Sequence, residues 1–137
     1  LAPSPPPPED LFTPVPFATG GDADLYFTPK YYGAVFASDV PAAIASLMMV
    51  TQRPLTASAL NEKAPSGAGW KTIPSWYVIG DGDLVIPPSV QLMMAQRAKA
   101  QITHTAGSHP SMIQHPEATV DAILAAVRAT GMSVSLK

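Results

Sequence analysis

The residues best suited to proton chemistry lie in the second half of the chain. Asp81 and Asp83 fall in the run GDGDLVIP (80–87), and His109 falls in AGSHPSMIQH (106–115). A carboxylate beside an imidazole holds the ring in one tautomer, and the other ring nitrogen can then take the proton of a nucleophile. These are two members of a hydrolytic triad. The third, a serine on a strained strand-to-helix turn written G-x-S-x-G, does not occur in the sequence. A single Asp in a glycine-rich loop more often serves turn chemistry, since it bonds its own backbone. The paired histidine loop raises the functional reading above that one, with Asp81 or Asp83 as the candidate acid and His109 as the candidate base.

His104, His109 and His115 also invite a metal site. Their separations of five and six residues put them on a strand, in a loop and at a helix start. No thiolate and few carboxylates stand near to complete a coordination shell. His104 and His115 are therefore read as structural, and no metal or cofactor is expected.

The elements that would position these loops alternate. Ser75–Ile79 (SWYVI) is a short apolar run of the kind found in a strand buried on both faces. A helix over Pro88–Ala98 would set Val90, Met93 and Met94 on one face, with the two methionines in the core. Gln101–Thr105 (QITHT) reads as the next strand. The last helix has Pro116 at its first position, Glu117 and Asp121 early, a Val120, Ile123, Leu124, Val127 stripe, Arg128 late and Gly131 to end it. Strand-helix-strand-helix order argues for parallel strands joined by crossovers. In such a sheet ligands bind beyond the carboxyl ends of the strands, where Asp81, Asp83 and His109 fall.

The preceding residues read differently. Seven of the sixteen prolines lie within residues 1–16, which predicts an exposed proline-rich arm or linker. From 17 to 69 the signals are helical but broken. Ser38 or Asp39 would cap a helix whose first turn holds Pro41 and whose stripe is Ile44, Leu47 and Met48, ending before Pro54. A shorter helix is expected over Leu55–Asn61, and the run APSGAG (64–69) reads as loop. Trp70 and Trp76 are expected to pack.

GDGDLVIPP (80–88), followed 26 residues after Asp83 by the histidine of AGSHPSMIQHPE, resembles the C-terminal portion of the α/β-hydrolase superfamily. In that family the acid sits in a G-x-x-D loop before an apolar-Pro step, and the histidine in a short loop before the last helix. The resemblance implies Asp83 as acid and His109 as histidine. It covers residues from about 70 to 127 and is similar to the branch of small esterases and hydroxynitrile lyases. It implies an α/β fold, a parallel sheet flanked by helices, with residues 70–137 as the β-α-β-α part of the core. Residues 17–69 would be a mostly helical lid in which Phe36, Met48 and Met49 contact substrate. The implied enzyme is a serine hydrolase, a carboxylesterase working through an acyl-serine. Its nucleophile would come from a companion polypeptide carrying the N-terminal half with G-x-S-x-G. The alternatives are a hydroxynitrile lyase and a non-catalytic subunit with a vestigial half-site.

Composition narrows the rest. Of 137 residues, 47% are hydrophobic and 13% charged, the balance of a chain that buries a core. Eight Lys and Arg against ten Asp and Glu give a net charge of −2 with no basic block, so nucleic acid is not an expected partner. No apolar run reaches the ~18–20 residues that span a bilayer, so a soluble chain without membrane association is expected. Cysteine is absent, which removes disulfides and a cysteine nucleophile without indicating a compartment. The chain opens at Leu1 with no initiator Met and no basic leader, from which we expect a piece cut from something larger.

Overall fold

The computed structural model describes residues 6–17 and 19–131. The chain divides into two compact units, Leu1–Ser66 and Gly67–Lys137.

The second unit is built on two parallel strands, β4 (Trp76–Gly80) and β5 (Gln101–Thr105), in register from Trp76 opposite Gln101 to Gly80 opposite Thr105. Their connection is helix α4 (Pro88–Arg97), as a parallel pair requires. Lys99 (φ 54°) ends it in the left-handed region, where Ala100 N–H returns to the Ala95 carbonyl at 3.0 Å. Helix α5 (Pro116–Ala129) packs against both strands. Ile79 and Ala95 are fully buried, and Ala122 is buried on α5. Trp70 lies beneath the Arg97 guanidinium, 5.1 Å from the ring centroid.

The helices turn different faces inward from those their large apolar residues indicate. In α4 the buried pair is Gln91 and Ala95, one turn apart, while Val90, Met93 and Met94 are exposed, so the two methionines are not core. In α5 Ala122 is buried whereas Val120 and Ile123 are exposed. The buried side chains of both helices are small, and in α4 the inward face also carries the hydrogen bonds of Gln91 to Asp83 and Ile86.

The first unit is a three-stranded antiparallel sheet with helices, not a run of broken helices. Strand β1 (Phe12–Pro16) pairs with β2 (Ala23–Phe27), and β2 pairs with β3 (Leu55–Thr56). Phe12–Pro16, expected as part of an arm, is thus the edge strand of a sheet, where proline is tolerated because one side needs no donors. Residues 1–5 of that expected arm lie outside the described residues. Gly20 (φ 91°) and Gly21 (φ 70°) turn the hairpin, a conformation that favours glycine. Cross-strand neighbours Phe12 and Phe27 meet edge-on at 5.6 Å. Phe27 also meets Tyr32 and Phe36, which follow the one-turn helix α1 (Pro29–Tyr31) in a single π-helical turn.

Helix α2 (Ala42–Thr51) has Pro41 at its N-cap and no side-chain cap, so neither Ser38 nor Asp39 serves. It buries Ala45 and leaves Ile44, Leu47 and Val50 exposed. Its end is anchored by Gln52, whose side chain accepts from Phe27 N–H at 2.8 Å and donates to the Met49 carbonyl at 3.0 Å. That clamp, beyond the reach of a periodicity argument, ties the end of α2 to β2. The short helix expected from Leu55 begins only at Ala57, as α3 (Ala57–Asn61), because Leu55 and Thr56 are taken by β3. Among the described residues no helix is long and apolar enough to cross a membrane.

Candidate active site

The parallel register brings the loops after β4 and β5 out at one edge of the sheet. There they are laced together: Asp81 N–H donates to the Thr105 carbonyl at 2.8 Å and Gly82 N–H to the Gly107 carbonyl at 3.1 Å. Two glycines allow the approach, and a third lets the second loop fold tightly on itself. A Cβ on Gly80 would lie 2.8 Å from the Gly107 oxygen, one on Gly82 would lie 2.9 Å from the Ala106 oxygen, and one on Gly107 would lie 2.6 Å from Ser111 Cβ. Contacts that short are repulsive, so a side chain at Gly80 or Gly82 would drive the two loops apart, and one at Gly107 would push the second loop off its own turn at Ser111.

Asp83 closes the first loop on itself. Its Oδ1 accepts from the backbone N–H groups of Val85 (2.7 Å) and Ile86 (3.0 Å), the turn chemistry expected of an Asp in a glycine-rich loop. Its Oδ2 accepts from His109 Nδ1 at 2.9 Å and from Gln91 Nε2 at 2.9 Å. The residue is only 5% exposed. Four N–H donors thus fill the carboxylate's acceptor sites. Burial pushes the Asp83 carboxyl up. The hydrogen bonds from His109, Ile86 and Val85, with the attraction of His109, outweigh it and hold the carboxyl below its usual range.

An ionised carboxylate can only accept, so His109 must carry its proton on Nδ1. The lone pair of the neutral ring then resides on Nε2, the nitrogen that can take up a proton. His109 is about 30% exposed at its side chain and borders an open pocket of about 290 Å³, walled by Trp76, Tyr77, Val78 and Ile86. Burial, and secondarily the charge of Asp83, push the Tyr77 phenol up, so it stays protonated beside the pair.

Asp81 makes a separate pair. It accepts from His104 Nδ1 at 2.8 Å, with both side chains about half exposed, at 50% and 53%. His115 occupies the N-cap position of α5 without a side-chain capping bond and stands 3.7 Å from Glu117. The three histidines thus go to three different carboxylates. Among the described residues no cluster of three or more His, Asp or Glu is placed to hold a metal ion.

The sequence matches the model of the alpha/beta hydrolase family over residues 1–122, the greater part of its 137. The chain belongs to the alpha/beta hydrolase family. Its strands and helices, with a small parallel sheet, are those of a partial α/β fold. No curated protein matches the sequence.

In this alpha/beta hydrolase chain, Phe36, Met48 and Met49 belong to the first unit. Phe36 is half-buried against Tyr32 (4.8 Å between ring centroids) and Phe27 (5.1 Å) and borders a smaller cavity with Phe12 and Leu25. Met48 and Met49 are half-buried on α2. One residue at the Asp83 site escapes sequence reasoning, the buried Gln91. Its only signal is a polar residue in the first turn of α4, aligned one turn ahead of Ala95 on the face that carries no large apolar side chain.

Proposed function

We propose that the chain is the C-terminal part of a serine hydrolase that cleaves carboxylic esters through an acyl-serine intermediate, with Asp83 and His109 as acid and base. The observation that carries this reading is the 2.9 Å contact from His109 Nδ1 to a buried, fully hydrogen-bonded Asp83, which makes Nε2 the proton-accepting nitrogen of the ring. Family membership supports hydrolase chemistry in general, and the ester preference rests on the likeness of the two loops to those of small esterases.

The steps follow from the tautomer. His109 Nε2 takes the proton of the serine Oγ as the Oγ–carbonyl bond forms, and Asp83 supports the imidazolium that results. The tetrahedral adduct collapses, the ester C–O bond breaks, and the departing alkoxide takes the proton from Nε2. Water repeats the sequence on the acyl-serine and releases the carboxylic acid. The serine and the donors that stabilise the oxyanion belong, in this reading, to a companion polypeptide with G-x-S-x-G. Residues 17–69 would, in this reading, form a lid whose Phe36, Met48 and Met49 contact the substrate. The exposed apolar side chains Ile44, Leu47 and Val50 of α2 support that role, since a lid must present an apolar face to something.

A fluorophosphonate probe applied to the native material tests the proposal. It should label a serine of the companion, leave this chain unmarked and abolish hydrolysis of a short-chain chromogenic ester. Labelling of one of this chain's own serines would refute the division of the triad. Cleavage of cyanohydrins without ester hydrolysis would replace the esterase by a lyase that uses the same residues for proton transfer.

A further inference from the structure

We infer that Gln91 is a positioning residue of the site: its side-chain amide locks the Asp83 carboxylate in the one orientation that meets His109. The inference rests on the hydrolase reading for its consequence in catalysis, but its geometry stands apart from it. Gln91 is 5% exposed in the first turns of α4, and Nε2 donates to Asp83 Oδ2 at 2.9 Å and to the Ile86 carbonyl at 2.8 Å. Both acceptors lack a proton, so the amide cannot be turned over. Its oxygen would then face two oxygens.

The need for such a lock follows from how the rest of the carboxylate is held. The backbone donors Val85 and Ile86 both bind Oδ1 and leave the group able to pivot about that oxygen. Oδ2 is held by His109 and Gln91 alone. His109 is the group to be aligned, so Gln91 is the only one of the four donors that fixes Oδ2 independently of it. Its second bond, to Ile86, ties the amide to the same loop that carries Asp83, so α4, the loop and the carboxylate form one rigid corner. A neutral amide suits this place better than Lys or Arg would. It fixes the acid without supplying a positive charge that would weaken the acid's hold on an imidazolium.

Gln91→Met keeps length and bulk and removes both donors. In 1H–15N spectra of the 137-residue chain, the downfield His109 Nδ1–H resonance should broaden or vanish in Q91M, because Oδ2 no longer holds it out of exchange with water. In the hydrolase assembled with its companion, kcat should fall by about 10- to 100-fold with KM nearly unchanged, the loss expected when a reacting group is misaligned rather than removed. A glutamine that only packs would lower Tm and leave both the resonance and kcat in place, and that result would overturn the inference.

Should Q91M fail to fold, the unmutated chain still decides. Protons from Gln91 Nε2 and His109 Nδ1 that share one acceptor oxygen must give a nuclear Overhauser contact, and its absence overturns the inference. The two readings fail separately. A resonance that depends on Gln91 in a protein without ester hydrolysis refutes the function and leaves the lock. Ester hydrolysis with full kcat and an unchanged resonance in Q91M refutes the lock and leaves the function.

Discussion

Asparagine at position 83 should disable the site while asparagine at position 81 spares it. In Asp83→Asn one oxygen still accepts from Val85 and Ile86, but an NH2 group replaces the oxygen that accepted from His109 and Gln91. Three donors then converge at a residue only 5% exposed, and an unmatched buried donor costs about 1–3 kcal/mol. The ring relieves the conflict by moving its proton to Nε2, so that Nδ1 accepts from the new amide. The site thereby loses the lone pair that removes the serine proton. The same exchange of acid for amide in the reference serine protease lowers kcat about 10⁴-fold, and at 1.36 kcal/mol per decade this is ~5.5 kcal/mol. Asp81, by contrast, is half exposed and faces a half-exposed His104. Exposed pairs of that kind are worth ~0–1 kcal/mol, so Asp81→Asn should change turnover by about fivefold at most. The assay is the initial rate on a chromogenic short-chain ester, normalised to serines titrated by a fluorophosphonate, with thermal melts to confirm folding. Equal small losses in both variants, or a larger one in Asp81→Asn, would refute the assignment of the acid.

Three further outcomes are expected. Because Asp83 is held below its usual range, its contribution to stability is fully present above the unfolded carboxyl value of about 3.9 and is lost as pH falls through the lower folded one. The Tm gap between the unmutated chain and Asp83→Asn should therefore hold steady near neutrality and shrink below about pH 4; a gap unchanged down to pH 2 would contradict this. Gly107→Ala places a Cβ 2.6 Å from Ser111 Cβ, inside the loop that carries His109, and should cost about 1–3 kcal/mol and reduce kcat by shifting His109 relative to Asp83. Denaturant melts and rates that match those of the unmutated chain would show that the loop absorbs the added methyl. Met48→Ala and Phe36→Leu should shift preference between short and long acyl chains with the pH profile intact, whereas a loss of stability with an unchanged ester series would make both residues packing alone.

Much of the second unit was legible in its residues. SWYVI and QITHT separated by a helix-length run admit a parallel pair, and Pro116, Glu117, Arg128 and Gly131 mark the last helix by the chemistry of its ends. These signals are local, and local propensity decides them. That parallel strands bring Asp81, Asp83 and His109 to one edge follows equally from the order of the elements. Over residues 12–16 proline density speaks for an arm, yet an edge strand needs donors on one side only and accepts the same residues. The apolar stripes of α2, α4 and α5 were visible, but periodicity names the apolar face of a helix and not its neighbour. The polar anchors of α2 and α4, Gln52 and Gln91, have partners 25 and 8 residues away in the chain. Which Asp meets which His was likewise settled in three dimensions. Asp81 and Asp83 are two residues apart in one loop, and only the register of β4 against β5, with the close approach of Gly80, Gly82 and Gly107, sends the first to His104 and the second to His109. Hydrogen bonds are directional and short-ranged, so their partners are chosen by the final placement of the backbone, which the kinds and spacing of residues constrain but do not contain.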